Sequence, residues 1–378
     1  MLSLLGLTSL GFNLNTALPA KVRANAPAKA HNYQFSSSLR MSSNVHASQL
    51  PVDTKHVKFS DVSAEIKVCK PIKTSKGIGS DPFGSIANLF QDKGTMSEQK
   101  ILPPLLFIHG SFHASWCWAE HFMPYFASLG YPCYALSLRG TGGTFAGEGI
   151  KKVKIQDHVR DLTDFITYVQ DSEGVGSKPI LVAHSFGGLA VMKYLEKNLL
   201  GTSESSSDKF QVSGVVSLCS VPPSGNGKMT LRFLKRSLVD SWKITIGLAA
   251  KKCITDEKLC RELFFGDDKS LSNEDIHRIQ GYFNRDTVSI IDLADLAKQL
   301  PIDNVDEGGK AVFLPDQLPS LVIGAKDDFI VDDIGVQETA KYYGVDAVFV
   351  DSPHDVMLGS KWFNSANVLE QWLENSFL

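Results

Sequence analysis

Apolar residues along this chain fall into short runs that alternate with amphipathic, helix-like segments. Six of the runs are apolar at nearly every position, which is typical of strands buried on both faces of a parallel sheet. They are residues 101–110, 131–140, 179–185, 212–220, 319–327 and 345–352. Helical spacing predicts helices at residues 155–170, 187–199 and 365–377. This alternation predicts an α/β fold with a mostly parallel sheet and helices on both faces.

The first hundred residues follow other patterns. Residues 57–68 alternate apolar and polar positions, which predicts half-buried antiparallel edge strands, and the polar, Gly- and Ser-containing residues 74–99 predict a long loop. No Asp or Glu precedes Asp53, whereas four basic residues lie among Ser, Ala, Asn and Thr. That composition predicts a transit peptide over residues 1–45, addressed to the chloroplast of a plant or, as the alternative, to the mitochondrion.

The interval 223–315 shows no strand pattern, only helix-like runs at residues 229–242, 272–283 and 287–300. Prolines flank it on both sides, so we expect a helical cap, or lid, inserted after the fourth parallel-type strand. The predicted organisation has four parts. They are a transit peptide at 1–45, edge strands and a flexible loop at 46–99, an α/β core at 100–222 and 316–378, and a cap at 223–315.

The start of the cap carries a concentration of positive charge. Residues 228–252 contain seven basic residues and one acid, Asp240. On a helical wheel the first five basic residues (Lys228, Arg232, Lys235, Arg236 and Lys243) share one side, flanked by a stripe of Leu231, Leu234, Leu238 and Trp242. Two hypotheses remain open: the stripe packs over the active site beneath a solvated basic face, or the basic face contacts an anionic membrane surface.

Charge and cysteine content narrow the possible functions. Lys and Arg number 38 against 41 Asp and Glu, a net charge of -3, which argues against nucleic-acid binding. Six scattered cysteines form neither a disulfide scaffold nor a C-x-x-C pair and are expected to be reduced thiols. No apolar run reaches membrane-spanning length.

The candidate chemistry centres on the sequence Ala-His-Ser-Phe-Gly at residues 183–187, which joins a buried strand directly to a helix. This pattern is typical of a nucleophile elbow, in which Ser185 is exposed on a sharp turn at the carboxyl edge of the sheet. Ala183 and Gly187 are small, as the close approach of strand and helix requires. The positive end of the helix dipole would favour an anionic intermediate at this serine.

A serine nucleophile needs a general base and an orienting acid, in the chain order Ser, acid, His. Only His277, in the cap, and His354, just after the last strand, follow Ser185, and His354 has the expected position for the base. The acid is expected after the preceding strand, where Asp327 and Asp328 are adjacent. We favour Asp328, because the following Phe-Ile-Val is the pattern that turns the chain away after the acid, and Asp327 stays the alternative.

The amide of Phe186, directly after the nucleophile, and the amide of Ser111, after the strand that ends at His109-Gly110, are the expected oxyanion-hole donors. His109 is expected to order its loop by hydrogen bonding. His113, His121, His158 and His184 are likewise expected to be structural.

From about residue 100 to the C-terminus, these motifs resemble those of the α/β-hydrolase superfamily. Residues 109–118 look like the oxyanion loop and following helix of its lid-bearing, esterase-like members, and residues 136–144 look like their next loop. The elbow, the acid-bearing turn and the Ser-Pro-His-Asp turn complete the set. The resemblance implies a serine hydrolase that cleaves a carboxylic ester or related acyl bond through an acyl-enzyme, without metal or organic cofactor. The serine at position 185 disfavours the epoxide hydrolase and haloalkane dehalogenase branches, which use aspartate.

Two other classes of function stay open at this point. The same triad serves acyltransferases and lyases, and a non-catalytic ligand-binding protein can share the fold. A cap with many aromatic and aliphatic residues predicts a hydrophobic, lipid-like or small-molecule ester as substrate. The oligomeric state does not follow from the sequence.

Overall fold

The computed structural model describes residues 50–72, 102–174, 177–200, 211–266 and 268–378, the side chain of Arg236 aside. The predicted transit peptide at 1–45 and the whole of the predicted loop at 74–99 lie outside these residues.

An eight-stranded sheet organises the described chain. Its strands are β1 (Asp53–Lys58), β2 (Ser63–Cys69), β3 (Leu105–Ile108), β4 (Cys133–Leu136), β6 (Ile180–His184), β7 (Gly214–Leu218), β9 (Ser320–Ala325) and β10 (Ala347–Val350). They lie in the order β1-β2-β4-β3-β6-β7-β9-β10. The β1–β2 and β2–β4 pairs are antiparallel, and the other strand pairs of this sheet are parallel. The prediction of a mostly parallel sheet with antiparallel edge strands is therefore confirmed.

Helices cover both faces of this sheet. They are α1 (Trp116–Ala119), α2 (Phe122–Ser128), α3 (Ile155–Glu173), α4 (Phe186–Leu199), α10 (Asp333–Tyr343) and α11 (Trp362–Phe377). Leu105 and Phe107 of β3 enter the hydrophobic core shared with α1, α2 and α11, whereas Leu106 and Ile108 enter the core shared with α3, α4 and α10. Burial on both faces explains why the strands read as continuous apolar runs.

Between β7 and β9 the chain is mainly helical, as predicted. Its elements are α5 (Asn226–Arg236), α6 (Leu238–Ile244), a π-helix (Thr245–Ala249), a 3₁₀-helix (Lys252–Ile254), α7 (Glu257–Cys260), a second π-helix (Arg261–Phe265), α8 (Asn273–Arg285), β8 (Ile290–Ile291), α9 (Leu293–Leu296) and a second 3₁₀-helix (Pro301–Asn304). The expectation of helix alone was wrong at residues 287–300. There β8 pairs in parallel with β5 (Lys152–Val153), and this two-stranded sheet joins the segment to the core.

The predicted basic amphipathic helix is also corrected by the structure. It breaks at Ser237, whose side chain accepts a hydrogen bond from the Asp240 amide and caps α6. Met229 and Phe233 are buried, but much of the predicted apolar stripe is exposed. The exposed fractions are 41% for Leu231, 75% for Leu238 and 53% for Trp242. The stripe as predicted therefore does not pack over the active site.

None of the helices in the described ranges is long and apolar enough to cross a membrane. The six cysteines are all buried free thiols. Burial raises the pKa of each thiol, which keeps it in the protonated form.

Candidate active site

Ser185 occupies the sharp turn between β6 and α4 and has φ 52° and ψ −122°, a conformation that a residue with a side chain rarely adopts. Close backbone approaches explain the small residues around it. A Cβ on Gly187 would lie 2.6 Å from the carbonyl oxygen of His109, and one on Gly110 would lie 2.7 Å from Cβ of Ser185. A Cβ on Gly188 would lie 1.9 Å from Oγ of Ser220. The strained geometry of a nucleophile elbow is therefore present.

The three side chains predicted to cooperate lie in hydrogen-bonding contact. Nε2 of His354 is 3.2 Å from Oγ of Ser185, and Nδ1 of His354 is 2.9 Å from each carboxylate oxygen of Asp328. They follow the carboxyl ends of β6, β9 and β10, which meet at one edge of the sheet. With its proton on Nδ1, the imidazole donates to Asp328 and accepts from the serine hydroxyl.

The two adjacent aspartates have different surroundings. The side chain of Asp328 is 1% exposed, and its Oδ1 accepts hydrogen bonds from the amides of Ile330 (2.7 Å) and Val331 (2.8 Å). The side chain of Asp327 is 57% exposed and lies 3.4 Å from Nζ of Lys361. The geometry thus places Asp328, and not Asp327, against His354.

The electrostatics of His354 suit a general base. Burial by itself lowers the pKa of this imidazole, but the charge and hydrogen bond of Asp328, aided by the charge of Asp355, raise it above its usual value. Burial instead lowers the pKa of His184, which donates from Nε2 to the carbonyl oxygen of His354 at 3.0 Å. His184 therefore stays neutral and holds the backbone of the turn that carries His354.

The loop after β3 is ordered by His109 and carries one of the predicted oxyanion donors. Nδ1 of His109 donates to the carbonyl oxygen of Gly110 (2.7 Å), and its Nε2 accepts from the Leu138 amide (2.9 Å), so His109 orders the loop as predicted. Ser111 and Phe186, the predicted oxyanion residues, line the same small cavity of about 50 Å³. The Phe186 amide opens α4 and has no intrahelical acceptor, which leaves it available to an anion.

Sequence reasoning missed a buried contact that joins this loop to the turn that carries His354 and Asp355. Nε2 of His113 lies 3.0 Å from Oδ2 of Asp355, and both side chains are fully buried. Nδ1 of His113 lies 2.8 Å from the carbonyl oxygen of Ser111. Both ring nitrogens therefore lie within hydrogen-bonding distance of acceptor oxygens. The signal in the sequence was the position of Asp355, directly after His354.

A second missed residue, Asp286, connects the helical segment to the core. Its carboxylate is fully buried and accepts hydrogen bonds from Nε1 of Trp116 (2.9 Å) and the amide of Gly142 (2.8 Å). Arg285 pairs with the same carboxylate at 2.7 Å. No local pattern distinguishes Asp286 from other acids at a helix end.

Two groups of potential metal ligands occur among the described residues: His184 with His354 and Asp355, and Cys219 with Asp328 and His354. Both include His354, whose ring nitrogens already face Ser185 and Asp328. A metal ion there would compete with the Ser185–His354–Asp328 arrangement for the same atoms.

The fold described above is that of the α/β hydrolases. A sequence model described as the alpha/beta hydrolase family matches residues 105–366, so the chain belongs to that family. The predicted α/β-hydrolase fold is therefore confirmed. The solved structure of VinJ superposes with a TM-score of 0.57 at 15% identity, covering 86% of this chain and 100% of VinJ.

Among curated proteins, similar plant esterases match part of the chain. Methylesterase 2 of Arabidopsis thaliana is 33% identical over 111 residues, which are 27% of this chain and 37% of that protein. Methyl jasmonate esterase 1 of Vitis vinifera is 34% identical over 91 residues, 24% of this chain and 32% of that protein. The matches therefore span about a third of the length of these relatives.

Proposed function

We propose that the protein is a serine hydrolase that cleaves a carboxylic ester through an acyl-enzyme. The contact of Ser185 with His354, which Asp328 orients, carries this proposal. Oγ of Ser185 attacks the ester carbonyl while Nε2 of His354 takes its proton, and Asp328 stabilises the imidazolium that forms. His354 then returns the proton to the departing alcohol, and a water activated by the same nitrogen releases the acid.

The amides of Ser111 and Phe186 would stabilise the oxyanion of each tetrahedral intermediate. Both residues line one cavity beside Gly110, whose lack of a side chain lets the loop approach Ser185. Two amides preorganised in this way interact most strongly with the negative charge that develops on the carbonyl oxygen in the transition state. They therefore lower the activation barrier more than they strengthen binding of the substrate.

The substrate we propose is an uncharged, largely hydrophobic ester. Phe112, Phe264 and Phe283 pack against one another, and the ring of Phe264 lies 6.4 Å from that of His354. Arg139, the cation in the cavity lining, is held by Asp61 and Asp161. The names of the plant relatives, methylesterase and methyl jasmonate esterase, support a small alcohol part such as methyl.

A fluorophosphonate probe tests the proposed nucleophile. We expect the wild type to be labelled, Ser185→Ala to lose labelling, and Ser128→Ala, on remote helix α2, to retain it. Hydrolysis of simple methyl esters, run in ¹⁸O-labelled water, should place the label in the released acid only with the wild type and the control. An unlabelled wild type, or equal labelling of Ser185→Ala, would refute the proposal. Transfer of the acyl group to an added alcohol in place of water would identify an acyltransferase.

We further propose that α5 and α6 contact an anionic membrane surface. Four large apolar side chains on these two consecutive helices are exposed, namely Leu231, Leu238, Val239 and Trp242, with exposed fractions of 41%, 75%, 63% and 53%. Lys228 and Lys235 of α5 are also exposed. Apolar side chains beside lysines suit an interfacial, rather than a spanning, contact.

Flotation with phosphatidylglycerol-containing vesicles tests this contact. We expect binding that weakens in Leu238→Ser/Trp242→Ser and in Lys228→Glu/Lys235→Glu, but not in Ile334→Ser, which removes an equally exposed side chain (58%) from α10. Absence of binding, or equal binding by all variants, would contradict the proposal.

We also propose that residues 1–45 direct the chain to the chloroplast. The support is their acid-free, basic composition and the plant origin of the similar esterases. A fluorescent protein fused after residue 45 should accumulate in plastids, and accumulation in mitochondria would favour the alternative address.

A further inference from the structure

The cavity beside Ser111 and Phe186 contains one polar side chain whose role the proposed mechanism does not explain. His158, in the first turn of α3, lines this cavity and is 4% exposed. Its Nδ1 is fully buried and has no hydrogen-bond partner, and the described residues provide none for Nε2 either. A buried imidazole without a protein partner is unfavourable unless a ligand or an ordered water supplies the hydrogen bond.

The other buried polar side chains of the lining are already satisfied within the protein. Nε2 of His109 accepts from Leu138, Oγ1 of Thr287 donates to Phe283, and Oγ of Ser289 donates to Ile150. Arg139 and Asp286, as described above, are held by Asp61 and Asp161 and by Trp116 and Gly142. Among the described buried side chains of this lining, His158 is therefore the one that remains available to form a hydrogen bond with a ligand.

The charge state of His158 restricts what it can recognise. Burial, reinforced by the neighbouring charge of Arg139, lowers the pKa of His158 to about 3, so the ring is neutral at physiological pH. A neutral imidazole can donate one hydrogen bond and accept one, but it cannot neutralise a carboxylate. The ring of Phe186 lies 5.9 Å from that of His158, which places the imidazole near the predicted oxyanion amide.

We propose that His158 is a specificity-determining residue that binds an uncharged hydroxyl or carbonyl oxygen on the acyl part of the ester, next to the scissile carbonyl. The inference rests on the proposed serine hydrolase function and adds to it the chemical class of the substrate. The substrate is a hydrophobic ester with one neutral oxygen near the scissile carbonyl, on a substituent small enough for a cavity of about 50 Å³. The hydrogen bond fixes the orientation of the carbonyl toward the amides of Ser111 and Phe186.

Matched ester pairs test this assignment. We expect the ratio of kcat/KM for methyl 2-hydroxypropanoate over methyl propanoate to fall roughly tenfold in His158→Phe, which keeps an aromatic ring but loses the hydrogen bond. His158→Gln, which can still donate and accept, should retain part of the ratio. His277→Phe makes the same change at a side chain that is 65% exposed and should leave the ratio unchanged. The ratio measured for each variant cancels any general loss of folded protein. Comparing this ratio between variants cancels the intrinsic reactivity of the two esters.

A second measurement needs only the wild type. As competitive inhibitors, 2-hydroxypropanamide should bind roughly tenfold more tightly than propanamide. A wild type that reacts with the fluorophosphonate probe but binds the two amides equally, or a ratio unchanged in His158→Phe, would overturn the role of His158 alone. A wild type that fails to react with the probe and hydrolyses neither ester would overturn this role together with the proposed function.

Discussion

Replacing Asp328 by Asn is expected to abolish most of the activity, although it changes one atom. Oδ1 of Asp328 is held by the amides of Ile330 and Val331, so the oxygen of the new asparagine stays there and its NH₂ group faces Nδ1 of His354. That nitrogen must then accept, which moves the ring proton to Nε2. In the proposed mechanism Nε2 takes the proton of Ser185. An Nε2 that already carries a proton cannot accept another, so this tautomer of His354 cannot act as the base.

The magnitude follows from the loss of both tautomer and charge. A similar change in a serine protease triad lowers kcat by about 10⁴, which at about 1.4 kcal/mol for each factor of ten corresponds to roughly 5.5 kcal/mol of transition-state stabilisation. Asp327→Asn is the matched control. Asp327 is 57% exposed and faces only Lys361, and an exposed pair of this kind contributes about 0–1 kcal/mol. The control should therefore keep its rate within about twofold.

The pH dependence gives an independent check. The base acts only when His354 is neutral, so kcat/KM rises with pH through the pKa of His354, which lies above its usual value in the folded protein. In Asp328→Asn burial remains while the favourable charge is lost, and the residual activity should rise at lower pH than in the wild type. The assay is ester hydrolysis from pH 5 to 9 with each variant. Activity of Asp328→Asn within tenfold of the wild type, or an equal loss in Asp327→Asn, would refute the assignment of the acid.

Three further predictions concern the surroundings of the catalytic residues. Gly110→Ala should lose activity by at least about tenfold with little change in the circular dichroism spectrum, because its Cβ would lie 2.7 Å from Cβ of Ser185; a fully active variant would contradict this. Asp355→Asn removes the carboxylate that lies 3.0 Å from Nε2 of buried His113, and weakening this buried hydrogen bond should destabilise the fold by about 1–3 kcal/mol. A lower Tm in calorimetry is the expected result, and an unchanged Tm would refute it. Because folding raises the pKa of His354, this residue stabilises the fold below pH 6.5, and the contribution disappears as the pH rises through the folded-state pKa. Denaturant titrations at pH 5.5 and 8.5 should show this extra stability in the wild type but not in His354→Gln.

Much of the fold follows from local patterns because the central strands are buried on both faces. Their apolar runs predict the strands of the sheet, and the chain order of Ser185, Asp328 and His354 then predicts which side chains meet. The short strand β8 does not follow in this way. Its two residues, Ile290–Ile291, are a strand only because Lys152–Val153 lies beside them, a pairing between residues 138 positions apart.

The break between α5 and α6 did have a local signal that the helical wheel obscured. Ser237 and Asp240 have the spacing of a helix N-cap and its third residue, and the Ser237 side chain indeed accepts from the Asp240 amide. A wheel assumes one continuous helix, so it placed Leu231 and Leu238 in a single stripe. Since each short helix has its own orientation, the stripe is divided, and both leucines are exposed.

The buried histidines show most clearly where sequence reasoning ends. His109, His113, His158 and His184 are alike in the sequence, and all four are buried in the fold. Their roles are decided by partners that only the folded sheet supplies: a loop carbonyl for His109, Asp355 for His113 and the backbone of His354 for His184. His158 differs because the described protein offers it no hydrogen-bond partner, so the role we propose for it depends on a bound ligand. Nothing in the local sequence distinguishes it from the other three histidines, and only the folded structure indicates that the choice of substrate can be tested through it.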